Sequence, residues 1–187
     1  MNGATETEVK LKVRDSEEIT RKLETAGYIV AHPRTFESNT IYDTADAHLF
    51  RQGMLIRLRE FGERSVLTWK GPPVPGPHKS RPELETTVGS LKTLAAILSR
   101  LGYGPVFRYE KFRTEYKRPG TSGTIVLDET PIGTFLELEG EGEWIDRTAT
   151  ILGFSRESYI LDSYARLYRK ECELSGVEPK QMVFPSF

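Results

Sequence analysis

Glu6, Glu8 and Lys10 stand at alternate positions near the start of the chain, and a second carboxylate pair, Glu137 and Glu139, has the same spacing far downstream. Between them the bases recur at Arg57 and Arg59, at Lys70, at Arg81 and at Lys111 and Arg113, with further carboxylates at Glu83, Glu85 and Asp128. On a β-strand, residues i and i+2 point to one side, so each pair projects its charges together. Carboxylates two apart present hard oxygens that suit Mg2+ or Mn2+ and not thiol-seeking metals. Arg and Lys grip phosphate oxygens through charge-assisted hydrogen bonds. The signs are partly segregated, basic at 57–59, 70 and 111–113, acidic at 128 and 137–139. A polyphosphate with divalent cations satisfies both halves.

A solvated antiparallel sheet also alternates apolar with polar residues. Such faces mix in Thr, Ser and Gln, whereas here charge recurs on nearly every strand. If the sheet closes with this face inward, its interior is a polar tunnel. Lone buried charges are prohibitive, so these must neutralise one another or be neutralised by a ligand.

The elements that must hold these residues are mostly strands. Over 6–14, Thr7, Val9, Leu11 and Val13 fall on one face, and Glu6, Glu8, Lys10, Lys12 and Arg14 on the other. Strand patterns return near 36–43, 54–60, 64–70, 81–88, 107–117, 124–129 and 134–141. Four helices are predicted. One is capped by Asp15 or Ser16 and stops at Gly27; one is capped by Ser90 and stops at Gly102. A third carries Ile145, Ala149 and Leu152 before Gly153, and the last is capped by Asp162 or Ser163. Three of them end as Gly-aromatic (Gly27-Tyr28, Gly102-Tyr103, Gly153-Phe154), where glycine can take the left-handed C′ conformation. Tyr164 and Leu167 read as helix packing. The proline-rich stretch from Gly71 to Pro82 cannot be central strand and reads as a stiff connector, with a lid as the alternative. Residues 175–187 have no period; they pack through Val183, Phe184 and Phe187 or fray.

Composition bounds the rest. The 187 residues suit one domain. With 26 Lys and Arg against 27 Asp and Glu, the formal charge of −1 gives no bulk footprint for nucleic acid or anionic membrane. The single Cys172 excludes an internal disulfide and a multi-cysteine zinc site, and His32, His48 and His78 are too scattered for a histidine cluster. No apolar run approaches the ~20 residues that span a bilayer, and no secretory h-region is visible. The expected location is the cytoplasm.

The ordered segments Glu6-Thr7-Glu8-Val9-Lys10, Ile56-Arg57-Leu58-Arg59, Leu67-Thr68-Trp69-Lys70-Gly71, Arg81-Pro82-Glu83-Leu84-Glu85, Lys111-Phe112-Arg113, Leu127-Asp128 with Gly133–Glu139, and Ser163–Leu167 together resemble the CYTH superfamily, the triphosphate tunnel metalloenzymes. That group includes class IV adenylyl cyclases and thiamine, inorganic or RNA triphosphatases. The resemblance covers about residues 6–170. It implies an α+β fold: an eight-stranded antiparallel β-barrel with helices packed outside, over residues 1–174, followed by a C-terminal tail. It implies that Glu6, Glu8, Glu137 and Glu139 hold Mg2+ or Mn2+, with Asp128 helping. Lys10, Arg57, Arg59, Lys70, Lys111 and Arg113 would grip a triphosphate, with Arg81 a further contact and Glu83 and Glu85 partners of a metal or a lysine. Homodimerisation is implied by the resemblance alone.

Two reactions use such a site. In hydrolysis of ATP, tripolyphosphate or thiamine triphosphate, a water attacks the terminal phosphorus, with Glu8 or Glu85 orienting it and Lys70 among the charges that stabilise the transition state. In cyclisation, the ribose 3′-hydroxyl of ATP attacks the α-phosphorus and pyrophosphate leaves. Hydrolysis needs only a triphosphate grip and is the favoured expectation. A non-catalytic polyphosphate binder is the third option, and four carboxylates at metal-ligand spacing argue against it.

Overall fold

The computed structural model describes residues 4–185; Phe187, one of the expected anchors of the tail, lies outside them. Eight strands form: β1 (Ala4–Val13), β2 (Ile29–Thr44), β3 (Leu55–Phe61), β4 (Arg64–Lys70), β5 (Lys79–Thr87), β6 (Tyr103–Lys117), β7 (Thr124–Thr130) and β8 (Gly133–Glu139). They close into an antiparallel barrel in the order β1-β5-β4-β3-β2-β6-β7-β8, with β8 returning to β1. Closure removes every sheet edge, and it places one side of each strand in a lumen.

The alternation decides which side that is. In β1, Val9 and Leu11 are fully buried, yet they face outward, beneath α1 (Ser16–Thr25) and α4 (Gly142–Ile151). Ile125, Leu136 and Leu138 join them from β7 and β8, with Leu23, Trp144 and Ile145 from the helices. Burying each such side chain stabilises the fold by about 1.5–3 kcal/mol. The main apolar core therefore lies outside the barrel, and the charged face is left to the lumen. Gly123 is part of this packing, because a Cβ there would sit 2.3 Å from Cε2 of Trp144. A second apolar layer sets α3 (Leu91–Arg100) against Tyr42 and Leu58. A third sets α5 (Tyr164–Ser175) against Phe107, Tyr109 and Phe135 at one end of the lumen.

The helix signals act as expected. Asp15 Oδ1 accepts from the N–H groups of Glu17 and Glu18, both at 2.9 Å, and the Ser90 and Ser163 hydroxyls cap α3 and α5. Gly27, Gly102 and Gly153 all have φ between 82° and 89°. Behind two of them, Tyr28 N–H donates to Leu23 and Phe154 N–H to Ala149, which turns the aromatic ring back onto the core. The four-residue α2 (His48–Arg51) is an addition, organised by Asp43, whose carboxylate accepts from Thr44, Leu49 and Phe50.

Two expectations change. β5 begins at Lys79, so the end of the proline-rich stretch is central strand after all, with Pro82 paired opposite Thr5. Gly71 N–H donates to Pro82 O at 2.8 Å, and the return bond to Gly71 O is the one that proline cannot make. Arg81 supplies it from Nε at 2.9 Å and from Nη2. β2 also starts earlier than its pattern indicates. Its first half pairs with the end of β6 through register shifts around Val30, His32 and Thr35, and so keeps no clean alternation. The tail does pack: Met182 is fully buried and bridges Tyr109, and Phe184 lies on Phe112. Among the described residues no helix is long and apolar enough to cross a membrane.

Candidate active site in the tunnel

Glu6 and Glu8 enter the lumen from β1, and Glu139 from β8, where it pairs directly with Glu8. One oxygen from each lies within 4.8 Å of the other two. Three ammonium groups surround this trio. Lys10 holds Glu8 at 2.9 Å and Glu137 at 3.0 Å. Lys70 pairs with Glu6 and, at 3.0 Å, with Glu83, while Lys79 reaches Glu8 at 2.5 Å. Burial pushes the Glu139 carboxyl up to about 8, and Glu137, Glu8 and Glu6 add their repulsion against the pull of Arg113. Glu8 goes the other way: against the cost of burial, Lys10 and Lys79 hold it far below the usual carboxylate range. Burial lifts Glu83 to about 7, with Lys70 opposing and Glu6 adding. A cluster of all-oxygen donors, partly protonated through burial and mutual repulsion and already crowded by cations, fits a hard divalent ion.

The far end of the lumen is saturated. Asp128 is fully buried; Lys111 reaches its Oδ2 at 2.8 Å and Arg113 takes both oxygens at 2.8 Å. Tyr164, from the first turn of α5, donates to Oδ2 at 2.8 Å. The ammonium groups of Lys10 and Lys111 each stand 5.2 Å from the Tyr164 ring centre. Tyr164 thus packs, as its helix spacing indicates, and also donates its hydroxyl into the ion-pair network of the lumen. Glu37, fully buried on β2, faces Lys111 at 3.4 Å and Arg113 and Arg59 at 3.7 Å.

Between these ends lies the basic wall. Arg57 contacts Tyr109 Oη at 3.3 Å, Thr68 Oγ1 at 3.2 Å and Glu85 at 3.4 Å. Glu85 also accepts from Thr68 at 3.1 Å and is the most exposed carboxylate of the group, its side chain 40% accessible. Nε of Arg57, Nε of Arg59, Oδ1 of Asn39 and Oε2 of Glu37 are buried and have no hydrogen-bond partner. Unmet buried donors and acceptors are costly, and Arg59 Nε and Glu37 Oε2 are compensated only by charges 3.7 Å away.

The lumen thus gathers Glu6, Glu8, Lys10, Arg57, Arg59, Lys70, Glu83, Glu85, Lys111, Arg113, Asp128, Glu137 and Glu139. The five expected metal ligands divide. Glu6, Glu8 and Glu139 form the trio; Glu137 is held by Lys10 and by Arg113 at 2.5 Å, and Asp128 by its three donors. Arg81 spends its guanidinium on the carbonyls of Gly71 and Gly53. Arg51 lies outside, paired with Asp46. Glu37, Asn39, Lys79 and Tyr109 were not singled out from sequence. Glu37 and Asn39 carry the same i, i+2 signal as the other pairs, but the polar Ser38 and Thr40 between and beyond them blur it.

The site is a lumen lined by ion pairs inside a closed eight-stranded antiparallel barrel. The CYTH domain family model matches residues 4–164, and the chain belongs to that family. A Methanocaldococcus jannaschii protein named "Putative adenylate cyclase MJ0240" is 26% identical over 172 residues, which are 87% of this chain and 97% of that one. The X-ray structure of a Vibrio parahaemolyticus protein given the same kind of name superposes with a TM-score of 0.79 at 21% identity, covering 88% of this chain and 98% of the other. "Putative adenylyl cyclase HpAC1" of Hippeastrum, described as revealing a dominant triphosphatase activity, superposes with a TM-score of 0.62 at 15% identity, covering 94% of this chain and 97% of the other. These structural likenesses establish the shared fold.

Proposed function

We propose that the protein is a divalent-metal-dependent triphosphatase that hydrolyses the terminal phosphoanhydride of a nucleoside, inorganic or thiamine triphosphate. The observation that carries this reading is the convergence of Arg57, Arg59, Lys70, Lys10, Lys111 and Arg113 on one lumen whose mouth holds the Glu6, Glu8 and Glu139 trio. Arg57 and Arg59 offer their unmet Nε–H groups to phosphate oxygens, and Lys70 and Lys10 offer ammonium charge beside the trio. A Mg2+ or Mn2+ ion held by Glu6, Glu8 and Glu139 would neutralise charge on the phosphate oxygens and on the leaving group. The fixed dipoles and cations of the wall favour the more dispersed charge of the transition state without reorganising. Glu85 is ionised, because Arg59 and Arg57 outweigh its burial, and its exposed oxygen at the mouth can orient a water and take its proton. Attack on the terminal phosphorus then releases orthophosphate and the shortened phosphate chain.

The second reading, ATP cyclisation, draws on the name of the M. jannaschii relative. It requires a nucleoside pocket beyond the grip, whereas hydrolysis is served by the residues described. Product analysis separates the two. With Mg2+ or Mn2+, the protein is expected to release orthophosphate from ATP, tripolyphosphate or thiamine triphosphate. Cyclic AMP with pyrophosphate as the product from ATP would overturn hydrolysis in favour of the cyclase.

A further inference from the structure

The three ammonium groups around the carboxylate trio are not held equally. Lys10 pairs with two carboxylates, Glu8 and Glu137. Lys70 also pairs with two, Glu6 and Glu83. Among the described residues Lys79 has one ion-pair partner, Glu8 Oε1, and it shares that oxygen with Lys10. Its side chain is mostly buried. The main chain beneath it is fixed. Lys79 pairs with Glu8 across β1 and β5, and Ser80 Oγ meets Thr7 Oγ1 at 2.8 Å. His78 is pinned at 2.9 Å to Asp146, which also accepts from Tyr159 at 2.9 Å. Only the flexible butyl stem of Lys79 is free to move.

We infer that Lys79 is a built-in counter-cation: it pairs with Glu8 of the carboxylate trio when no metal is bound, is displaced by the divalent ion, and then adds its charge to the phosphate grip. The inference rests on the metal-dependent reading above. Two positive charges cannot share Glu8 at short range without cost, and the least held of the three ammonium groups yields first. Lys79 and Lys10 stand on the same Glu8 oxygen, so once released Lys79 remains beside Lys10 as a further ammonium facing a polyphosphate. A tunnel with this device binds bare metal weakly and binds metal and polyphosphate together strongly.

The test is a pair of equilibrium titrations on the whole chain. The first follows Mn2+ by electron paramagnetic resonance without substrate; the second measures tripolyphosphate binding by calorimetry at saturating Mn2+. Lys79→Met is expected to bind Mn2+ about tenfold more tightly and tripolyphosphate about tenfold more weakly than wild type. Lys79→Arg, which keeps the charge, is expected to stay near wild type in both. A structural role alone does not move the two affinities in opposite directions. Unchanged or weakened Mn2+ binding in Lys79→Met, with normal binding by wild type, overturns this inference and leaves the metal reading standing. Absence of Mn2+ binding by wild type overturns the metal reading and the inference with it.

Discussion

Glu139, half-buried, and Asp128, fully buried, stand on neighbouring strands, and their surroundings are opposite. Glu139 faces Glu6 and Glu8 and retains its proton up to about pH 8, whereas Asp128 accepts from Lys111, Arg113 and Tyr164. Glu139→Gln is expected to weaken Mn2+ binding by at least about 10–100-fold while leaving the metal-free melting temperature equal or higher. Asp128→Asn is expected to cost about 3–5 kcal/mol of stability, since it strips the charge that compensates two buried cations. Calorimetric melts with Mn2+ titration measure both, and the reverse assignment of effects would contradict the site. Arg59→Ala should weaken tripolyphosphate binding about tenfold or more, through loss of a charged donor; unchanged affinity would remove Arg59 from the grip. The paired charges themselves were legible in the sequence, because i, i+2 spacing fixes a shared face. Their division into carboxylate trio and ion-paired anchor was not, because the donors to Asp128 come from β6 and from α5, distant in the chain.

At the level of elements, every strand expected from alternation forms, and the four expected helices form, three of them capped by Asp15, Ser90 and Ser163 and three stopped at the Gly-aromatic pairs. Pattern fails where a side chain substitutes for the backbone. Pro82 reads as a strand breaker, yet Arg81 completes the bond that Pro82 leaves open at Gly71 O. Arg81→Met should therefore destabilise the fold by about 1–3 kcal/mol by orphaning a buried carbonyl. The added change Pro82→Ala restores an N–H at that place and should recover part of the loss. Urea denaturation of the single and double variants measures the coupling; strictly additive effects would contradict it. α2 was illegible because its organiser, Asp43, belongs to the preceding strand and caps from outside the helix.

Across the molecule, the fold inverts the usual order, with apolar packing outside the barrel and ion pairs inside it. Lys10, Arg57, Arg59, Lys70, Lys79, Lys111 and Arg113 meet Glu6, Glu8, Glu37, Glu83, Glu85, Asp128 and Glu137, so the resting tunnel balances its own charge. This gives stability two opposite pH slopes. Glu37, deeply depressed by Lys111 and Arg59 against its burial, contributes in full above its unfolded value of 4.5 and loses that contribution as pH falls below it. Glu139 keeps its proton in the folded chain up to about pH 8 but sheds it near 4.5 when unfolded, so the metal-free protein loses stability as pH rises between those values. Melting temperatures from pH 3.5 to 9 should pass through a maximum, and Mn2+ should abolish the alkaline decline; a flat profile would contradict the balance of charges. The most direct measurement of the whole account is orthophosphate release from tripolyphosphate with Mn2+, before and after excess chelator. The expected result is turnover that stops on chelation and returns when Mn2+ is restored. Turnover indifferent to chelation, or none with Mn2+ present, would contradict it.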